Sequence, residues 1–199
     1  MRTDIAGVIL AGGQGRRMGY VNKGLQPLDG KALVQWVIER LAPQVDSLFI
    51  NANRDAANYG EFGYPVIADL IPDFAGPLAG IHRALQHVPH SLLATAPCDS
   101  PYLPTDLVSR LHQALQRHAA QIAIARSGGH IHPVFSLIRT AALPSLTRFL
   151  ADGGRAIKHW HATLDSCVVD FDDEATAFDN INTLDELQRI SPSAPTIAV

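Results

Sequence analysis

Short apolar runs alternate with segments of helical periodicity along most of this chain. Residues 6–10 (Ala-Gly-Val-Ile-Leu) read as a short buried strand, and the runs at 47–51, 65–67, 91–96 and 121–125 as four more. Residues 131–137 and 167–171 predict two further strands. Between them, 32–41 reads as a helix with Leu33, Val37 and Leu41 on one face. Helices are also expected at 80–87, 105–118, 143–151 and 183–190; Pro104 and Thr105 suit the start of the second of these, and Thr183 with Asp185-Glu186 the start of the last. Residues 1–190 are expected to form one domain, with 191–199, which carry two prolines and few anchors, as a flexible tail.

Strands alternating with helices predict an α/β fold of three layers, α/β/α and Rossmann-like, around a mostly parallel sheet. Ligands of such sheets bind beyond the carboxyl ends of the strands. The glycine-rich segment after residue 10, Asn51, Asp69 and Asp99 all fall at or just past predicted strand ends, so they are expected to converge on one rim.

That glycine-rich segment is Leu10-Ala11-Gly12-Gly13-Gln14-Gly15-Arg16-Arg17-Met18-Gly19, followed by Asn22-Lys23. Glycines let backbone N–H groups approach a ligand without Cβ interference, and Arg16, Arg17 and Lys23 supply charge. Together they are what a polyphosphate needs. The segment is neither a Walker A loop, since G-x-x-x-x-G-K-[ST] is absent, nor a full dinucleotide fingerprint, since Met18 stands where the third glycine belongs. On these residues alone, a plain turn with a solvated basic loop competes with nucleotide binding.

Composition narrows the field. The 199 residues are 47% hydrophobic, enough for a sizeable core, and the formal charge of −3 argues against a general nucleic-acid binder. The local cations therefore look placed rather than ambient. Two cysteines, Cys98 and Cys167, cannot make a disulfide scaffold, and no C-x-x-C pair supports a zinc or redox centre. No apolar stretch reaches membrane-spanning length and the N-terminus lacks a signal-peptide pattern, so a cytoplasmic protein is expected.

The whole string resembles the L-A-G-G-x-x-x-R-M-x-x-x-x-K signature of nucleotidyltransferases, matched here by Leu10, Ala11, Gly12, Gly13, Arg17, Met18 and Lys23. Within that superfamily the chain is similar to the molybdenum cofactor guanylyltransferases, the MobA family. Further matches are Asn51-Ala52-Asn53-Arg54, Gly76-Pro77-Leu78-Ala79-Gly80, Pro97-Cys98-Asp99-Ser100-Pro101-Tyr102, His132-Pro133 and Asn180-Ile181-Asn182-Thr183-Leu184-Asp185-Glu186-Leu187. They occur in the family's order from the first strand to the last helix. Gly15 departs from the Ser or Ala usual there, which makes the loop more flexible.

The resemblance implies transfer of GMP from GTP to molybdenum-molybdopterin, with Mg²⁺ held by Asp99. It implies GTP binding by Leu10, Ala11, Gly12, Gly13, Lys23, Asn51, Asp69 and Asp99, with Arg17, Lys23 and Asp99 catalytic. Gly80, Asn180 and Asn182 are acceptor-side candidates. Each has a plainer reading: Asp99 a turn aspartate before Ser100-Pro101, Asp69 a turn residue, Asn51 a strand-end amide, Asn180 and Asn182 helix caps. Mg²⁺ needs only one or two carboxylates beside substrate phosphates, so a single Asp is sufficient. His130 and His132 share one strand face, but with Asp170 they lack the spacing of a third ligand, and structural or acceptor-facing roles are expected. Ser100 has no G-x-S-x-G elbow, and Cys98 reads as a small buried residue. A monomer is expected, with proteins of cofactor biosynthesis and molybdoenzyme chaperones as partners, and neither nucleic acid nor membrane. The rival readings are a cytidylyltransferase or sugar-phosphate nucleotidyltransferase with the same chemistry, and a catalytically silent nucleotide-binding delivery protein.

Overall fold

In chain order the elements are β1 (Ile5–Leu10), β2 (Pro27–Leu28), β3 (Lys31–Ala32), α1 (Leu33–Leu41), β4 (Ser47–Asn51), α2 (Ala56–Gly60), β5 (Val66–Ile67) and α3 (Pro77–His87). There follow β6 (Leu92–Pro97), α4 (Leu107–Arg117), β7 (Ile122–Ser127), β8 (His130–Arg139), α5 (Leu143–Ala151), α6 (Ile157–His161) and β9 (Ser166–Asp170). They come from a computed structural model that describes residues 4–12, 22–71, 76–174 and 176–179. The helix expected at 183–190 and the tail at 191–199 lie outside those residues.

Seven strands form one sheet in the order β5-β4-β1-β6-β8-β7-β9. Only β8 is reversed, pairing antiparallel with β6 and β7, so the sheet is mostly parallel as expected. The β7–β8 link is a two-residue turn in which Gly128 and Gly129 have φ of 56° and 76°, the left-handed geometry such hairpins require. Pro133 interrupts the pattern of β8 at no cost in ladder bonds, because the register with β7 shifts there.

Side chains of β1 divide between two apolar layers. Ile5 and Ile9 pack with Val34, Val37 and Leu41 of α1 and Leu107, Leu111 and Leu115 of α4. Ala6, Val8 and Leu10 face Leu78, Ile81 and Leu85 of α3, Leu146 and Leu150 of α5 and Trp160 of α6. Burial on both faces explains why this strand reads as a continuous apolar run rather than an alternation.

Strand order also places the rim. From β1 the chain adds β4 and β5 on one side and returns to add β6 on the other, the switch beside which such sheets bind ligands. Leu10 pairs with both Asn51 and Pro97, and Asn51 with Ile67, so four strand ends stand level. The ladder runs one step further: Ala11 N–H donates to the Asn51 carbonyl, Ala52 N–H to Ile67 and Cys98 N–H to Leu10. Gly12, Asn53, Asp69 and Asp99 are the next residues out on their four strands.

Three short features carry no signal in the apolar periodicity. Asp29-Gly30 turns the small β2–β3 hairpin with φ of 50° and 76°, and α2 and α6 are five-residue helices. Elements this brief do not complete a helical period that a sequence pattern can show. The helix expected from residue 80 begins one turn earlier, with Pro77 in its first turn, where a missing N–H is harmless. That expected from 105 begins at Leu107. No helix among the described residues is long and apolar enough to cross a membrane.

Candidate active site

Asn51, at the end of β4, is 2% exposed and cannot leave its amide unpaired. Its Nδ2 donates to the Ile67 carbonyl at 3.2 Å and to Asp69 Oδ1 at 2.8 Å. Asn53 Nδ2 donates to the other oxygen, Asp69 Oδ2, at 2.7 Å, and Asn53 Oδ1 accepts from the Asp69 N–H at 2.9 Å. Two amides thus orient one half-buried carboxylate on the rim. Sequence reasoning does not single out Asn53, although it stands inside the Asn51–Arg54 string; only the convergence of β4 and β5 reveals it.

Glycines lie against this cluster on two sides. A Cβ at Gly12 would meet Asn53 Nδ2 at 3.2 Å and Asn51 Oδ1 at 3.4 Å. A Cβ at Gly80, in α3, would lie 2.2 Å from Asn51 Oδ1. Gly80 therefore serves the close approach of α3 to β1 and β4, and the space beside it is filled by Asn51. The Leu10 carbonyl and the Ala11 N–H are taken by the ladder, so the first backbone N–H past it on this strand is that of Gly12.

Across the switch, Asp99 follows β6 and is 8% exposed. Lys23 Nζ stands 3.4 Å from Asp99 Oδ2. Burial pushes the Asp99 carboxyl above the usual carboxylate range, opposed by the Lys23 charge. The separation exceeds the 2.7–2.9 Å of a tight charge-assisted bond, so this is a long ion pair. A rim carboxylate is the kind of oxygen donor that Mg²⁺ takes singly, with substrate phosphates and water completing its shell. Among the described residues no three His, Cys, Asp or Glu side chains are grouped to hold a metal by themselves.

Lys23 opens a single tight turn, Lys23–Leu25, and Gly24 within it is buried. A Cβ at Gly24 would meet Tyr59 Oη at 2.5 Å and Cys98 Sγ at 3.1 Å. Cys98 is buried as expected, and burial pushes its thiol up, away from reactivity. Tyr59 and Gly24 have no motif in the sequence and are visible only in the folded chain.

Gly13, Arg16, Arg17, Asn180 and Asn182 lie outside the described residues. His132 is half-buried and stacks on Phe178 at 4.7 Å, whereas His130 is exposed at the tip of the β7–β8 hairpin. Asp170 is engaged by Arg126, at 2.5 Å to Nε and 2.7 Å to Nη2, an exposed ion pair that holds its carboxyl below the usual range.

Residues 7–166 match the family described as MobA-like NTP transferase domain. A molybdenum cofactor guanylyltransferase of Cupriavidus taiwanensis is 50% identical over 192 residues, covering 94% of this chain and 96% of that protein. The crystal structure of molybdopterin-guanine dinucleotide biosynthesis protein A from Archaeoglobus fulgidus superposes with a TM-score of 0.75 at 26% identity, covering 94% of this chain and 97% of that one. The 4-diphosphocytidyl-2C-methyl-D-erythritol synthase of Anaerococcus prevotii also reaches a TM-score of 0.75, at 12% identity and 94% coverage of both chains, a likeness of fold alone. With a switch-point rim carrying Asn51, Asp69, Lys23 and Asp99, and a family match across most of its length, this chain belongs to the MobA-like nucleotidyltransferases.

Proposed function

We infer that this enzyme transfers GMP from GTP to molybdenum-bearing molybdopterin, giving the guanine dinucleotide form of the cofactor and pyrophosphate. The observation that carries the reading is the Lys23–Asp99 pair, level with the Asn51–Asp69 cluster on one rim, in a chain half identical to a guanylyltransferase.

In this reading a phosphate oxygen of the acceptor attacks the α-phosphorus of GTP. The bond to the bridging oxygen breaks, and pyrophosphate leaves with the electron pair. The attacking phosphate is already anionic, so alignment and charge neutralisation matter more than a general base. Lys23 acts as a point charge on the triphosphate, and Arg17 assists the departing pyrophosphate. Leu10, Ala11, Gly12 and Gly13 line the nucleotide, with donors from Gly12 onward. Asn51 and Asp69 form its polar wall; a carboxylate oxygen held by one amide retains capacity to accept from a guanine N–H. Asp99 would hold Mg²⁺, which supplies screening of the repulsion between donor and acceptor phosphates. Asn180 and Asn182 belong to the acceptor side.

The product has to reach apoenzymes, so proteins of molybdenum cofactor biosynthesis and molybdoenzyme chaperones are its expected partners. A cytoplasmic monomer suits that role. The deciding experiment measures pyrophosphate release by the purified protein with Mg²⁺, molybdenum-loaded molybdopterin and each nucleoside triphosphate. Release with GTP alone, lost on chelation with EDTA, is expected. A preference for CTP would move the enzyme to the cytidylyl activity, and GTP binding without release would leave a delivery role.

A further inference from the structure

A buried hydroxyl points at the residue before the rim lysine. Tyr59, in α2, is wholly buried, and its Oη donates to Asn22 Oδ1 at 2.6 Å. Asn22 Nδ2 in turn donates to Asp55 Oδ2 at 2.9 Å. Asp55 and Tyr59 are four residues apart, so one helical turn presents both to the same amide. Both ends of the Asn22 side chain are therefore fixed by α2 and the residue that precedes it.

The backbone of the same turn is fixed as well. Leu25 N–H donates to the Asn22 carbonyl and Gln26 N–H to the Lys23 carbonyl, at 3.3 and 3.0 Å. Gln26 Nε2 adds a bond to the Asn22 carbonyl at 3.2 Å. Gly24 docks on Tyr59 Oη and Cys98 Sγ so closely that no Cβ fits. Cys98 is the neighbour of Asp99, so the two halves of the Lys23–Asp99 pair are located by the residues next to them. Asp55 holds φ at 53°, a left-handed conformation that costs a non-glycine residue energy.

We propose that Tyr59, Asn22 and Asp55 form a clamp that sets Lys23 opposite Asp99, with Tyr59 and Asp55 as positioning residues for guanylyl transfer. The inference rests on the reading of Lys23 as the cation on the triphosphate. It assigns α2 a task in the reaction and makes the Tyr59 hydroxyl, rather than its ring, the working group.

The test compares Tyr59→Phe, Asp55→Gly, Lys23→Met and the two doubles with Lys23→Met in the full-length enzyme. Steady-state pyrophosphate release from GTP is measured alongside thermal unfolding. Tyr59→Phe is expected to lower kcat roughly 10-fold, the scale of one buried hydrogen bond. The KM for the acceptor stays unchanged. Asp55→Gly lowers kcat in the same sense while the unfolding temperature changes little, because the bond it loses is exposed and glycine takes the left-handed conformation without strain. In the Lys23→Met background neither substitution has a further effect beyond about 2-fold, since coupled residues are not additive. Independent, multiplying losses in the doubles would overturn the clamp, as would wild-type kcat in both single variants. If Lys23→Met itself turns over like wild type, the reading of Lys23 fails first and the clamp with it. Asp55 is exposed, so its variant reports even if Tyr59→Phe folds poorly.

Discussion

Gly80 and Asn51 touch so closely that a Cβ on the glycine would stand 2.2 Å from Asn51 Oδ1. This contact joins the first turns of α3 to the end of β4, and so to the amide that orients Asp69. The glycine is what allows the helix to lie directly against the rim.

Gly80→Ala is therefore expected to push Asn51 off Asp69. Overpacking of this kind costs about 1–3 kcal/mol, against a gain of roughly 0.5–1 kcal/mol from replacing a helical glycine. Net loss of stability in urea, with a raised KM for GTP, is the expected pair of results. A variant as stable as wild type with an unchanged KM would show that the contact has no bearing on the nucleotide.

Asp69→Ala leaves the Nδ2 groups of Asn51 and Asn53 without their shared acceptor. Asn51 Nδ2 keeps the Ile67 carbonyl and the half-buried Asn53 amide can turn to water, so the stability cost stays below the roughly 1–3 kcal/mol of an orphaned buried donor. The effect should fall on GTP rather than on the acceptor, seen as a higher KM for GTP with the acceptor KM unmoved. Equal increases for both substrates would place the cluster outside the nucleotide site.

Asp99→Asn removes the rim carboxylate that meets Lys23 while keeping its shape. Loss of a group acting on transition-state charge is worth about 100-fold or more in kcat. The fold should tolerate the change, because a desolvated charge is being neutralised. Added Mg²⁺ should not restore turnover. Wild-type kcat for the Asp99→Asn enzyme in single-turnover assays would sink the metal assignment.

His161 makes stability depend on pH. It is 5% exposed beside Trp160, its Nε2 has no hydrogen-bond partner, and burial lowers its pKa from 6.5 to about 4. Between those values the unfolded chain binds a proton that the folded chain refuses, so stability falls as pH falls from 6.5 towards 4. One pKa unit is worth about 1.4 kcal/mol, so the loss approaches roughly 3 kcal/mol at the acid end. His161→Phe removes the titration. Urea unfolding of both proteins at about pH 7, 5.5 and 4.5 should show the gap between them shifting towards the variant as acid increases; a constant gap would refute the mechanism.

Much of the fold was legible in residue order alone. The apolar run at 6–10 is β1 because a strand buried on both faces needs no polar alternation. The periodic stretch 143–151 is α5, residue for residue, because its apolar stripe meets a single apolar layer. Asn51, Asp69 and Asp99 could be placed on one rim because a parallel sheet sends all its carboxyl ends the same way. The glycine-rich string with Lys23, and the ordered motifs behind it, carried the family.

What residue order could not decide is which groups meet at that rim. Asn53 reaches Asp69 across 16 residues, Tyr59 reaches Asn22 across 37, and Lys23 reaches Asp99 across 76. None of these pairs has a fixed spacing, because each depends on how far neighbouring strands overrun a common level. The same holds for Gly24 and Gly80, whose need for a missing side chain exists only once Tyr59, Cys98 and Asn51 are packed against them. Periodicity reports which face of an element is buried; the partner of a polar group is chosen by the register and crossing of elements distant in the chain.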